Sequence, residues 1–383
     1  MTRGDTSNRP KNLPFPSPAV AAELLDLHPA PADLRRIVEL GLQRHPKQLP
    51  AWLLYDDWGS QLFDRICEQP EYSLTRLETA LLAERADAIA ASLGPGCLVE
   101  FGAGSARKVS PLLRAMAKAA LRPSADPAPP PAGAQQDRQA AAASSLAFGG
   151  TAIGPAYVAL DISAAQLAEA CRRLAQEHPN YPILGICCDY SVMEELPNHP
   201  LLQQRRIGFY PGSSIGNFAG PEATSLLQRC RRLLGRDGQL LIGLDQPRDV
   251  QSMEAAYHDQ AGVSAAFAFN LLTRLNHDLA GDFQPDGFVY RAWWQAEHSR
   301  IAMALISQRE QTVRLAGRDW RFAAEEPLIT EYSVKYNEAA FTTLAQAAGW
   351  QCAERWTDPS GQVALVRLVP ASDEPPATPS FHL

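Results

Sequence analysis

The sequence lacks any apolar stretch approaching the roughly 18 residues that a bilayer-spanning helix requires, and its mean hydropathy is only −0.20. It also lacks a surplus of positive charge. Lys and Arg number 35 against 42 Asp and Glu, a net charge of −7, so no global positive field exists to hold a phosphate backbone or an anionic lipid surface. Nucleic acid and membranes are therefore not expected partners. The N-terminal residues lack the basic-then-apolar order of a signal peptide. The cysteines, Cys67, Cys97, Cys171, Cys187, Cys188, Cys230 and Cys352, form no CxxC pair and no Cys/His array at zinc spacing. That pattern argues against a metal site and against a disulfide framework. Scattered thiols of this kind suit a reducing compartment, and the expected location is the cytoplasm.

What is present is length and rhythm. The chain has 383 residues, enough for one large domain and a smaller lobe. Residues 1–17, rich in Pro, Asn, Ser and Thr, show no period and read as a flexible arm. Helical patterns begin near Pro18, with apolar stripes through Leu34, Ile37, Val38 and Leu42 and through Leu77, Leu81, Leu82 and Ile89. Residues 18–75 are thus expected to supply N-terminal helices to a substrate-binding lobe. From 76 to 247, short apolar runs at Cys97–Phe101, Ala156–Leu160, Ile183–Cys187, Ile207–Tyr210 and Leu240–Leu244 alternate with helical segments. This is the rhythm of a mainly parallel sheet covered on both faces. A tract over about 122–154, crowded with Pro123, Pro127, Pro129, Pro130 and Pro131, interrupts it as a mobile loop insertion.

The stretch 248–335 is aromatic and irregular in period, and reads as a second lobe. Over 336–370, Gln351–Trp356 and Gln362–Val369 flank the turn residues Asp358-Pro359-Ser360-Gly361, which predicts a closing antiparallel hairpin. Residues 371–383 form a tail. The fold class is α/β: a Rossmann-like sheet with an antiparallel C-terminal hairpin, plus a second, substrate-binding lobe.

The first core strand runs into Glu100-Phe101-Gly102-Ala103-Gly104-Ser105, two glycines that permit a tight turn and close backbone approach to a ligand. The third glycine of a dinucleotide fingerprint is missing, since Arg107 and Lys108 stand near its place. The second strand ends at Asp161, suited to accept from both ribose hydroxyls. It lies about 24 residues past Gly104 once the insertion is discounted, against the typical ~20. The third strand ends Cys188-Asp189-Tyr190, a carboxylate and a ring at the height of an adenine. Glycine turn, ribose acid and adenine acid on successive strands point to S-adenosylmethionine in a class I methyltransferase sheet. Ordinary roles remain open to the same residues: Asp161 as a helix cap, Lys108 as a solvated side chain.

The fourth strand leads to Pro211-Gly212-Ser213-Ser214-Ile215-Gly216-Asn217. Methyl transfer requires nucleophile, methyl and sulfur nearly in line, and Asn217 at this strand end can both accept from an amine and donate to a carboxylate. An Asx turn is its plain alternative. Four segments together, Tyr55-Asp56-Asp57-Trp58-Gly59-Ser60-Gln61-Leu62-Phe63, Pro70-Glu71-Tyr72-Ser73-Leu74-Thr75-Arg76, Gly212 to Asn217, and Leu328-Ile329-Thr330-Glu331-Tyr332-Ser333-Val334-Lys335-Tyr336, resemble the histidine-specific methyltransferase family. The resemblance spans Pro18 to Val369 apart from the insertion. Trp58 departs from it, standing where the family has a smaller or basic residue.

The resemblance implies an enzyme that makes three methyl transfers from S-adenosylmethionine to the α-amine of L-histidine, giving hercynine in ergothioneine biosynthesis. It further implies that Asn217 and Tyr257 hold the substrate carboxylate and orient the amine. Tyr72, Glu331 and Ser333 would bind the imidazole, Met303 would line the same pocket, and Tyr55 would lie near the transferring methyl. On the cofactor side it implies Gly102, Lys108, Asp161, Asp189 and Tyr190. Tyr55 and Asn217 are thus the candidate catalytic residues, with no metal and a monomer favoured. A carboxylate at 331 complements an imidazole N–H and suits an indole poorly. The alternatives are a relative that methylates another aromatic amino acid or a histidine derivative, a dinucleotide-dependent oxidoreductase, and a non-catalytic cofactor-binding module.

Overall fold

The computed structural model describes residues 22–27, 33–121, 155–179, 181–218 and 220–371. The arm over 1–17 and the insertion over 122–154 lie outside them, as does all but the first residue of the 371–383 tail. The strands are β1 (Glu23–Asp26), β2 (Lys47–Gln48), β3 (Cys97–Phe101), β4 (Ala156–Asp161), β5 (Ile183–Cys187), β6 (Arg206–Tyr210), β7 (Gln239–Asp245), β8 (Phe288–Gln295), β9 (Arg300–Ser307), β10 (Gln311–Leu315), β11 (Arg318–Phe322), β12 (Pro327–Val334), β13 (Trp350–Thr357) and β14 (Val363–Pro370). The helices are α1 (Leu34–Leu42), α2 (Asp57–Glu68), α3 (Leu74–Leu93), α4 (Ser110–Ala120), α5 (Ala164–Glu177), α6 (Pro221–Leu234), α7 (Val250–Ala255), α8 (Val263–Leu279) and α9 (Glu338–Ala347).

Eight strands form one sheet in the order β1-β5-β4-β3-β6-β7-β14-β13. The strands from β1 to β7 in that order are parallel, and β14 lies antiparallel between β7 and β13. This is the α/β sheet with antiparallel closure that the sequence leads one to expect. Strands β3 and β4 are buried along their whole length because helices cover both faces. Leu81, Ile89, Leu112 and Leu167 from α3, α4 and α5 pack on one face, and Leu226 and Phe341 from α6 and α9 on the other. Such two-sided burial is why these strands read as unbroken apolar runs. Glu100 and the terminal Asp161 are the exceptions, and Glu100 accepts a hydrogen bond from Tyr157 Oη at 2.5 Å.

The sheet begins differently from expectation. Residues 18–75 read as helical, but Glu23–Asp26 is an edge strand paired in parallel register with β5, Leu24 opposite Gly185. Leu25 packs on the core, and the missing side chain at Gly185 makes room for Leu24, whose Cδ1 would stand 2.8 Å from a Cβ there. Four residues are too few to show a period. Lys47–Gln48 is likewise a short strand, set beside β12.

The second lobe is a sheet of order β2-β12-β9-β8 with a separate β10–β11 hairpin. Its core joins Val38 and Leu42 of α1 and Leu62 and Ile66 of α2 to Leu271 of α8, Leu305 and Leu328. The N-terminal helices and the 248–335 stretch therefore share one hydrophobic interior. Helix α3 belongs to both halves: Leu74 lies in this interior, and Leu81 onward packs beneath the large sheet. Among the described residues no helix is long and apolar enough to cross a membrane.

Candidate active site

The carboxyl ends of β3, β4 and β5 open on one cleft of about 1030 Å³ lined by Gly102, Lys108, Asp161, Asp189 and Tyr190. Gly102 has φ +70°, and a Cβ there would stand 3.1 Å from Tyr190 Oη. The turn thus needs glycine for its backbone and for the ring lying over it. Asp161 accepts from Gly104 N at 2.7 Å and from Ser163 N at 2.9 Å, so it ties the glycine turn to the start of α5 while bordering the cleft. Burial pushes its pKa up, and the backbone donors of Ser163, Gly104 and Ile162 oppose that. Asp189 accepts from Ser191 N at 2.9 Å and Ser191 Oγ at 2.6 Å. Tyr190 sits edge-on to Phe101 and Tyr210, with centroids 5.8 and 6.1 Å away. Glycine turn, buried acid and flat ring around a cleft of this size fit a nucleoside-bearing cofactor.

Lys108 does not offer a free charge. Its Nζ donates to Glu78 Oε2 at 2.7 Å, and Glu78, buried on α3, accepts from Gly212 N at 2.8 Å. Glu78 thereby fixes both the cofactor cleft and the loop after β6. Nothing in the sequence marks it, because a Glu in an amphipathic helix ordinarily faces solvent.

Tyr55, Tyr72, Asn217, Tyr257, Met303, Glu331 and Ser333 all line a second, inner recess. Tyr55, Tyr72 and Asn217 also border the cofactor cleft, so the two spaces share a wall. Each side chain has a local reason for its place. Tyr55 follows the 3-10 turn Ala51–Leu54 and precedes Asp56, the cap of α2, which accepts from Gly59 N at 2.7 Å and Asn270 Nδ2 at 2.8 Å. Tyr55 then meets Phe63 and Phe267 edge-on at 5.5 and 5.3 Å. Tyr72 ends a turn pinned by the Arg76 guanidinium, which donates to the carbonyls of Gln69, Pro70 and Tyr72. Tyr257 is held by Tyr290 Oη, which donates to its carbonyl at 2.8 Å, and its ring meets Tyr72 at 5.8 Å. Met303 on β9 is the cross-strand partner of Glu331 on β12, which puts both at one end of the recess.

Asn217 Nδ2 donates to Glu331 Oε1 at 2.9 Å. Burial raises the Glu331 carboxyl to about 8, against the opposing pull of the Lys335 charge and the Asn217 bond. Tyr257 Oη and Ser333 Oγ are 2.8 Å apart. Burial and the neighbouring Glu331 charge hold the Tyr55 phenol well above its usual range, so it stays a neutral hydroxyl. Among the described residues no group of three or more His, Cys, Asp or Glu is placed to hold a metal ion.

Lys335 and Asp245 stand behind this recess and escaped the sequence reading. The available signal was alternation, since positions 331, 333 and 335 fall on one side of an extended chain.

Comparison with known proteins matches residues 34–370 to a family described as histidine-specific methyltransferase, SAM-dependent. A histidine N-alpha-methyltransferase of Mycolicibacterium smegmatis is 34% identical over 334 residues, 87% of this chain and 93% of that one. Its counterpart in Mycobacterium tuberculosis is 31% identical over 336 residues, with the same coverage of 87% and 93%. An N-methyltransferase of Aspergillus flavus, imqF, is 26% identical over 337 residues, 86% of this chain and 83% of that one.

Proposed function

This chain belongs to the histidine-specific, S-adenosylmethionine-dependent methyltransferase family, and we propose that it methylates the α-amino nitrogen of L-histidine three times to give hercynine. It is an S-adenosylmethionine-dependent enzyme of histidine methylation in ergothioneine biosynthesis. The family match sets aside the dinucleotide-dependent oxidoreductase. The observation that carries the finer reading is that Asn217 borders both the cofactor cleft and the inner recess while bonded to Glu331. A ligand whose ring faces Glu331 has its amine at the junction of the two spaces.

S-adenosylmethionine supplies an electrophilic methyl on its sulfonium. The chain's own residues do the positioning. Asn217 commits one of its two amide hydrogens to Glu331 and keeps its carbonyl to accept from the amine. An α-amine is largely protonated near pH 7 and its neutral form is the nucleophile, so each of the three transfers is preceded by the loss of one amine proton, which leaves to water. Tyr55, a neutral hydroxyl, orients that amine through a hydrogen bond and does not take its proton as phenolate. In its ionised form Glu331 has Oε2 left to accept the ring N–H. As methyls replace amine hydrogens, the rings of Tyr55, Phe63 and Phe267 offer the apolar, electron-rich wall that a methylammonium prefers.

The test is incubation with S-adenosylmethionine and a panel of amino acids, followed by mass spectrometry. Histidine is expected to gain one, two and three methyl groups. Preference for another amino acid, or methylation confined to a ring nitrogen, would remove the proposal.

A further inference from the structure

Lys335 is fully buried and spends all of its hydrogens on three neighbours. Its Nζ donates to Asp245 Oδ2 at 2.6 Å, to Tyr257 Oη at 2.6 Å and to Ser333 Oγ at 2.8 Å. Asp245, at the end of β7, is itself anchored by Arg248 Nη1 at 2.6 Å and by its backbone N–H, which donates to Ser213 Oγ at 2.9 Å. Burial works against the ammonium, but Asp245 and Tyr257 raise its pKa above the ordinary lysine value, so it is charged.

The proton count at the two hydroxyls is then fixed. Each oxygen accepts one hydrogen from Lys335, and the oxygens share one further hydrogen across 2.8 Å. Two hydroxyls carry two hydrogens. One lies in the mutual bond, and the other has no acceptor among the described residues, while both residues line the recess. With Tyr257 donating to Ser333, the spare hydrogen is on Ser333 Oγ, the hydroxyl on the same strand face as Glu331, and the pair turns a donor toward the ring. Without the ammonium, either oxygen could rotate and offer a lone pair instead.

We propose that Lys335, set in place by Asp245, is a positioning residue that forces the Tyr257–Ser333 pair to present a hydrogen, and so selects a substrate ring carrying an unprotonated acceptor nitrogen. Glu331, on the same strand face, accepts the N–H of the ring. Donor and acceptor together match a neutral imidazole and mismatch a pyrrole or indole, which have an N–H and no second nitrogen. A site built around a hydrogen bond rejects a ligand that cannot complete it, because the buried group is left unpaired.

This inference rests on the histidine reading above. It is tested by calorimetry of L-histidine, and of an alanine bearing a pyrrole in place of the imidazole, binding to the enzyme complexed with S-adenosylhomocysteine. The variants are K335M and the double variant K335M/D245N, which removes both buried charges and keeps a folded protein available if a lone Asp245 proves too destabilising. The parent is expected to favour histidine over the pyrrole analogue by tenfold or more. In the variants histidine affinity falls at least tenfold, the preference shrinks to threefold or less, and S-adenosylhomocysteine affinity stays within about twofold. Unchanged histidine affinity in a variant that still binds S-adenosylhomocysteine overturns the proposal. So does an equal loss for both ligands, the mark of general loosening. A parent that binds no histidine removes the histidine reading itself, and this inference with it.

Discussion

Asn217 and Glu331 are joined by a 2.9 Å hydrogen bond across the boundary between the two halves of the protein. Asn217 ends the 3-10 turn Ser214–Asn217 after β6, and Glu331 lies on the second lobe's strand β12. The bond exists because the turn lies directly on that strand: a Cβ at Gly216 would fall 2.7 Å from the carbonyl oxygen of Val334. The loop after β6 and strand β12 are thereby locked in one geometry.

Gly216→Ala should break that lock. The Val334 carbonyl is backbone and cannot rotate away, so the added methyl forces the turn outward at a cost of about 1–3 kcal/mol. Thermal melting is expected to fall by several degrees and the histidine KM to rise about tenfold. A variant with unaltered melting and kinetics would show that the turn has room to spare.

Substrate choice is expected to follow Glu331 and its cross-strand partner Met303. In Glu331→Ala combined with Met303→Val, assayed near pH 9 where the carboxyl is ionised, histidine kcat/KM should drop by about ten- to a hundredfold, the loss typical of a buried charge-assisted hydrogen bond. Parallel assays with histidine and tryptophan measure the preference. An unchanged preference for histidine would contradict imidazole recognition at this position.

The pH dependence of substrate binding has a sign. With the Glu331 carboxyl at about 8, its ionised form, the stronger acceptor for a ring N–H, grows as pH rises from 7 to 9. Histidine affinity for the S-adenosylhomocysteine complex should therefore strengthen through that range. Glu331→Gln, which cannot ionise, should flatten the profile, and a profile identical to the parent's would place the titration elsewhere.

Asp161 ties the glycine turn to α5 through Gly104 and Ser163. Asp161→Ala should weaken S-adenosylmethionine binding by ten- to a hundredfold in calorimetry, through the freed loop and the loss of the carboxylate proposed to accept from the ribose. Equal affinity for parent and variant would refute the assignment.

The main strands were legible because two-sided burial writes itself as apolar runs, and much of the candidate recess because Tyr55, Tyr72, Asn217, Glu331 and Ser333, which line it, occur in four recognisable segments. What stayed hidden has a common physical cause. Glu78, Lys335 and Asp245 are charged residues whose burial depends on partners far away in the chain, and local pattern assigns such residues to solvent. Strand β1 was hidden for another reason: four residues ending in a charge acquire strand character only from the β5 edge they pair with.

Glu100 carries a stability prediction. Its carboxyl is raised by burial from 4.5 to about 8, so the folded state keeps a proton that the unfolded chain releases. That contribution is complete below about 4.5 and is lost as pH rises through about 8. Melting temperature should decline between pH 5 and 9, and Glu100→Gln should reduce the decline and melt higher than the parent at pH 9. Identical slopes for both proteins would show that Glu100 does not titrate in this window.

Helix α3 starts in one hydrophobic interior with Leu74 and finishes in the other with Leu93, carrying Glu78 between them. The second lobe is consequently not a cassette. Grafting it from a relative with different taste would have to bring this helix along, and with it the ionic handshake that shapes the cofactor's seat. New specificities in this architecture should therefore arise by exchanging single side chains around the recess more readily than by recombining whole segments.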